Sequence, residues 1–413
     1  MNLDGHNINL KVDTGSCETY LVYGGWYESL YGRGSCKYLI SGCYFCPAAN
    51  PCDLDTLLTQ RIHKAHYIGG HSVTLVKRKV TLEVGERTVD NLEIGLMVGS
   101  TLAEKGLQPY AMLGLSLPRL DPTVELETPS LLEQLVSAGE IPHSTISIHV
   151  SKLSRGLSGQ LVLGESMPQS KDTTLLPLRE ASYYDDTLDV VVSAVRVRSS
   201  SSSSSPMIEL PEVGLSVGID TGADVSAVPE KLFSMLWEAI EKEFGRERVD
   251  GTRMVRSQPI DGKTDAIIDH HDQFWCRKSV AKRLPAIIIQ VDVKSTFEVH
   301  LSNHVNVCEG EWCMLSVIDR VNPNEPFDAL ILGGPFFIDH DVFIDFDDGV
   351  VGIKTRSEES SIDLELPGSS KDAWGGQRTT DSAGTPCFIE LFRGRMVDDV
   401  LSVPRVALER IHY

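Results

Sequence analysis

Ile8-Asn9-Leu10-Lys11-Val12-Asp13-Thr14-Gly15-Ser16 runs an alternating apolar stretch into a short polar turn. Val217-Gly218-Ile219-Asp220-Thr221-Gly222-Ala223 repeats that construction in the second half of the chain. Alternation marks a half-buried strand, and the glycine permits a tight turn beside the aspartate. Downstream of each copy, at similar spacing, come two apolar residues and a glycine: Met112-Leu113-Gly114 and Ile331-Leu332-Gly333. A single Asp-Thr-Gly is an ordinary turn sequence. Two in the same frame make the chain two copies of one unit, each presenting one aspartate. Carboxylates brought together where such copies meet cannot both ionise freely, so one retains a proton. The next residue separates the copies. Ser16 has a hydroxyl to donate to Asp13, favouring its ionised form, whereas Ala223 offers Asp220 none.

The duplicated loops and their apolar-apolar-Gly partners resemble the pepsin-like aspartic peptidases, over residues 3 to 355. The Cys-rich stretch 24–60 and the polar stretch 245–280 fit that pattern poorly. The resemblance implies a mostly β, bilobal fold of two related β-barrel-like lobes with a cleft between them. The lobes are expected at 1–180 and 181–357, followed by a disordered or loosely attached tail at 358–413. It also implies an endopeptidase acting on a peptide or protein substrate without a cofactor or metal. Asp13 and Asp220 are then the catalytic pair, supported by Thr14, Gly15, Ser16, Thr221, Gly222 and Ala223. Threonine in each loop is expected to lock the two loops together. Alanine at 223 departs from the commonest pattern, and without a hydroxyl there the acidic limb of activity is expected to lie higher. A hairpin with its turn at Gly69-Gly70 follows Tyr67, and by resemblance it is the flap that closes over substrate, with Tyr67 as its tyrosine. Tyr20, seven positions after Asp13, backs the flap or belongs to the core. Cys276 and Cys313 match a pair that the family joins by a disulfide.

Family members carry about two strands before their first loop, preceded by a signal and pro-segment, and this resemblance makes the present start short. The chain as written is therefore expected to be an incomplete precursor that expresses and cleaves poorly, with one edge of the lobe-joining sheet left unpaired.

With 413 residues, 41% hydrophobic and 23% charged, the chain has the composition of a globular protein of two or three cores. A formal net charge of −20 argues against nucleic acid and anionic membrane surfaces as partners. No apolar run is long enough for a membrane span. Nine cysteines, five of them (Cys17, Cys36, Cys43, Cys46, Cys52) in one early segment, point to an oxidising compartment, secreted or vacuolar. Against secretion stand the polar start and the absence of any N-x-S/T site. Disulfides are the favoured reading of Cys36, Cys43, Cys46 and Cys52, because their spacing is irregular for zinc and Pro47 follows the Cys43-x-x-Cys46 motif where a redox site wants a helix. A monomer is expected.

Along the chain, Val80 to Ile94 reads as a hairpin turning at Gly85-Glu86. A helix capped by Thr128 runs through Leu131, Leu132, Leu135 and Val136 to Gly139. Strands follow at 146–150 and 160–164, and the serine run 199–205 reads as a surface loop. An amphipathic helix begins near Pro229 with Leu232, Phe233, Leu236, Trp237 and Ile240 on one face, a polar insert spans 246–272, and a strand returns at 285–289. Residues 358–385 read as disordered.

Two rival functions remain at this stage. One is a catalytically weak or inactive pepsin-fold peptide binder. The other is a serine hydrolase built on Gly214-Leu215-Ser216-Val217-Gly218, which requires a helix straight after the serine. The histidines around the hairpin (His63, His66, His71) and Asp269-His270-His271-Asp272 are read as solvated polar faces.

Overall fold

The computed structural model describes residues 1–356 and the strand Cys387–Leu391, except 68–69, 85–86, 117–128, 153–156, 169, 179–188, 200–207, 210–214, 245–248, 251–253, 256–257, 260–266, 271–272, 292–294 and 321–328. The architecture is the expected one, mostly β and bilobal.

Each half is organised around the same crossing of strands. In the first, Leu10–Asp13 runs parallel to Ala111–Gly114, placing Asp13 opposite Gly114. Tyr20–Val22 then crosses antiparallel at Tyr20 and Met112. In the second, Leu215–Ile219 runs parallel to Ala329–Leu332, and Ser226–Pro229 crosses at Ala227 and Ile331. Tyr20 and Ala227 stand at the same offset from their aspartates, so the duplication read from the loops extends to the strands around them. Strand residues on both sides are buried, Leu113, Val217 and Leu332 among them. Ala111–Gly114 and Ala329–Leu332 are buried along their whole length and so read as unbroken apolar runs, whereas Leu10–Asp13, which carries Lys11, is half-buried up to Asp13.

A six-stranded sheet unites the halves. Its order is Thr173–Pro177, Val350–Thr355, His340–Asp345, Thr145–Lys152, Leu157–Leu163 and Cys387–Leu391. The last strand lies in the stretch expected to be a loose tail, yet it pairs antiparallel with Leu157–Leu163 and covers that edge. The remainder of 358–413 lies outside the described residues. Arg356 ties the sheet further, its guanidinium meeting Asp341 at 2.6 Å, while His149 approaches the same carboxylate at 3.1 Å.

The long hairpin Ser72–Val84 and Arg87–Ser100 forms as read, with its turn outside the described residues. The helix Leu131–Ser137 also forms, but its cap is Ser130, which makes a reciprocal capping box with Glu133. The Ser-x-x-Glu spacing was present in the sequence and outranks Thr128 as a start signal. Helix Glu230–Phe244 buries Leu232, Leu236 and Ile240 of the predicted face, with Phe233 and Trp237 partly buried against the core. The strand at 286–290 forms as well, whereas most of the 246–272 insert and of the serine run lies outside the described residues. No helix among the described residues is long and apolar enough to cross a membrane.

The early cysteines pair as Cys36–Cys43 and Cys46–Cys52, closing two small loops beside the first helix, Gly24–Tyr31. The expected Cys276–Cys313 bridge is not formed. Cys313 lies on a strand between Cys276 on one side and Cys308 on the other, in register with both. Its sulfur bonds Cys308, its neighbour across the tight turn at Gly310, and Cys276 is a buried thiol whose pKa burial pushes up to about 12. A pairing carried over by position cannot decide between two partners at equal register.

Candidate active site

The two Asp-Thr-Gly loops meet at the centre of the molecule and are locked by four hydrogen bonds. The Thr14 backbone N–H donates to Thr221 Oγ1 at 3.1 Å, and the Thr221 N–H donates to Thr14 Oγ1 at 3.0 Å. Each threonine hydroxyl then donates onward across the interface, Thr14 to the Ile219 carbonyl at 2.7 Å and Thr221 to the Val12 carbonyl at 3.0 Å. Thr14 is fully buried, so its hydroxyl and N–H would be costly to leave unpaired.

Locking the threonines presses each loop's glycine against the opposite carboxylate. A Cβ at Gly15 would lie 2.7 Å from Asp220 Cγ, and one at Gly222 would lie 2.4 Å from Asp13 Cγ. Glycine is required here for close approach, not for an unusual backbone angle.

The carboxylates sit in unequal surroundings. Asp13 is buried and accepts from the Gly15 N–H at 2.8 Å and the Ser16 hydroxyl at 2.9 Å. Asp220 accepts from the Gly222 N–H at 2.7 Å and the Ala223 N–H at 3.2 Å, with no hydroxyl donor. Burial, then the neighbouring charge of Asp13, push Asp220 up to about 7, with the Gly222 N–H and Lys11 opposing. Burial and the facing carboxylate thus favour the protonated form of Asp220.

Behind the loops stand two hydroxyls that the sequence reading passed over. Thr19 Oγ1 accepts from the Gly114 N–H at 3.2 Å, and Ser226 Oγ accepts from the Gly333 N–H at 3.1 Å. Both lie six positions after their aspartate and hold the glycine strand against the loop. The signal was there: a hydroxyl residue at the same offset in both copies. Ser226 is further bonded to His304 Nε2 at 2.9 Å.

Tyr67 stands at the end of strand Ile62–His66, whose partner Ser72–Val84 completes the expected hairpin. Gly70 adopts φ 72°, the left-handed turn that favours glycine, while Gly69 lies outside the described residues. Tyr20 is fully buried, and its hydroxyl faces that of Tyr67 without either completing a hydrogen bond. Ser216 lies inside a strand and donates to Asp189 at 2.5 Å; no helix follows it, so the nucleophile-elbow reading fails. His63 pairs with Glu18 at 3.4 Å. His66 is exposed, and the 269–272 motif is only partly within the described residues.

A bilobal β protein whose halves meet through interlocked Asp-Thr-Gly loops defines the pepsin-like class. The profile of the eukaryotic aspartyl protease family matches residues 4–355, and the chain belongs to that family. No individual curated protein matches it.

Proposed function

We propose that the protein is an aspartic endopeptidase that hydrolyses peptide bonds in an extended substrate lying between residues 1–180 and 181–357. The observation that carries this reading is the contact of each loop's glycine with the opposite carboxylate, which holds the two carboxyl groups together, with Asp220 raised to about 7. Asp13, whose carboxylate accepts the Ser16 hydroxyl as well as a backbone N–H, is the ionised partner and takes a proton from a water between the pair. Asp220 holds the shared proton and donates it to the peptide carbonyl oxygen as the water attacks. The tetrahedral diol then collapses as Asp13 gives the proton it took to the nitrogen and a diol hydroxyl gives its proton to Asp220, which restores the dyad. A proton shared between two carboxyls is the established behaviour of this class of dyad. The scheme uses no cofactor.

The flap hairpin supplies positioning. Replacing Tyr67 by Ala is expected to lower kcat/KM by about tenfold to a hundredfold. Thermal stability should change little, since Tyr67 is only partly buried and its hydroxyl has no complete hydrogen bond to lose. A large fall in Tm with unchanged kinetics per folded molecule would make it a core residue.

The raised Asp220 redirects the pH expectation. Asp13 already has its hydroxyl donor, so the residue affected by Ala223 is the one that holds the proton. Ionisation of Asp220 removes the acid of the mechanism and sets the basic limb of activity, near pH 7. A serine hydroxyl at 223 stabilises the ionised carboxylate and lowers its pKa. Ala223→Ser should therefore shift the basic limb down by about one unit, with the acidic limb nearly fixed. Kinetic profiles from pH 3 to 8 on both proteins measure this, and an upward shift contradicts it.

Three disulfides among the described residues suit a secreted or vacuolar setting, and we take the active form as a monomer. Cleavage of peptide libraries with and without a statine-type inhibitor tests the central reading. Inhibitor-blocked hydrolysis supports it. Tight inhibitor binding without hydrolysis assigns the chain to peptide binding instead.

A further inference from the structure

Beside the dyad lies a run of side chains that the proposed chemistry does not use. His71, just past the flap turn, stacks on Tyr67 with ring centroids 4.7 Å apart and planes 11° from parallel. Its Nε2 lies 2.7 Å from the hydroxyl of Tyr110. Tyr110 directly precedes the strand Ala111–Gly114 that holds Asp13 in register, so it belongs to the rigid body of the lobe. The Lys11 ammonium sits 5.2 Å from the centroid of the Tyr110 ring and 3.5 Å from Asp224, beside the second loop.

We propose that His71 is a positioning residue: its imidazole latches the flap hairpin to Tyr110, and this latch holds Tyr67 in place beside the Asp13 loop. The inference rests on the peptidase reading for its kinetic consequence, but not for its structural one.

The chemistry of the two groups suits the bond. Burial, then the negative charges of Asp13, Asp224 and Asp220, raise Tyr110, so its phenol keeps its proton and donates. Burial, then Lys11 and Lys105, lower His71 against the opposing pull of Asp13, which favours the neutral imidazole, whose Nε2 can accept. The tyrosines that face it, Tyr67 and Tyr110, are both held in the neutral form, chiefly by burial. Two further contacts fix the imidazole's backbone. The Tyr67 N–H donates to the His71 carbonyl at 3.0 Å, and the Ser72 N–H donates to Thr101 Oγ1 at 2.8 Å. Stacking on one face and a hydrogen bond at one edge leave the ring a single orientation, and Tyr67 shares it.

Three variants separate the latch from mere packing. Tyr110→Phe deletes one oxygen and keeps the ring. His71→Phe keeps the stack on Tyr67 and loses the hydrogen bond. His71→Gln retains a polar group able to meet Tyr110. Amide hydrogen exchange across Ile62–His66 and Ser72–Val76 should accelerate about tenfold in Tyr110→Phe and in His71→Phe, and less in His71→Gln. The double variant His71→Phe/Tyr110→Phe should be no worse than either single, because both remove the same bond. On a cleaved peptide KM should rise about tenfold with kcat within about twofold, since ordering the flap is then charged to binding. Unchanged flap exchange in Tyr110→Phe, or additive effects in the double variant, overturns the latch. If the unmodified protein cleaves nothing, the peptidase reading fails, and the exchange data still decide the latch.

Discussion

Replacing Asp13 or Asp220 by Asn is expected to lower kcat by about 10³- to 10⁴-fold while leaving the fold intact. Each substitution keeps the shape and the backbone contacts: an amide oxygen still accepts from the Gly15 or the Gly222 N–H. What is lost differs. At 13 the base disappears; at 220 the acid does. The stability consequences differ too. Asp220 has a folded pKa raised to about 7 from 3.8. A carboxyl raised on folding binds its proton more tightly in the native state, so stability is fully present below pH 4 and is lost as pH climbs towards 7. Asparagine removes that penalty. Asp220→Asn should therefore raise Tm at pH 7.5 relative to the parent protein and leave it nearly unchanged at pH 4. An inactive variant that melts later at neutral pH separates an electrostatically strained site from a damaged fold. Near-normal turnover in either variant refutes the mechanism, and a Tm that falls in Asp220→Asn at pH 7.5 refutes the strain.

The core of this site was legible because it is local and duplicated. An aspartate, a threonine and a glycine in sequence, entered by an alternating strand, already specify a carboxylate on a tight turn. The second copy supplied its partner. Gly114 and Gly333 were legible for the same reason: each sits beside the loop, with carbonyls of Glu18 and Val225 where a side chain would go. The Leu232, Leu236, Ile240 face was read from helical spacing alone. Harder to read was whatever depends on strand order. Cys276, Cys308 and Cys313 are equally plausible partners until their strands are placed side by side. The pairing of Cys387–Leu391 with Leu157–Leu163 joins segments remote in sequence, with no periodic signal long enough to announce it. His71 and Tyr110 belong to the same class: their bond spans a long sequence separation, and neither residue type is distinctive in its own segment. Thr19 and Ser226 are the exception. They are readable from the duplication as a hydroxyl residue six positions after each aspartate, between the loop and the downstream glycine that mark each copy.

The tightness of that duplication sets the second large expectation. Gly222→Ala places a methyl where the Asp13 carboxyl now stands, 2.4 Å from both Cγ and Oδ1. Contacts under about 3 Å force movement, and here little can move. The Asp13 carboxylate is held by the Gly15 N–H and the Ser16 hydroxyl, and the loop that carries Gly222 is held by Thr221 through the Val12 carbonyl. The strain must therefore open the interface between the loops. A displacement on the order of 1 Å is enough to lower kcat/KM by about 10²-fold. Gly15→Ala meets Asp220 at 2.7 Å, a looser contact, and should be the milder of the two. Separation also weakens the repulsion that, after burial, raises Asp220, so in both variants residual activity should lose its basic limb at lower pH than the parent. Activity, statine-type inhibitor affinity and the pH profile of each variant measure these effects together. Gly222→Ala with parental kcat/KM and an unmoved basic limb would show that the carboxyls stand further apart than this geometry requires, and the shared proton would go with them.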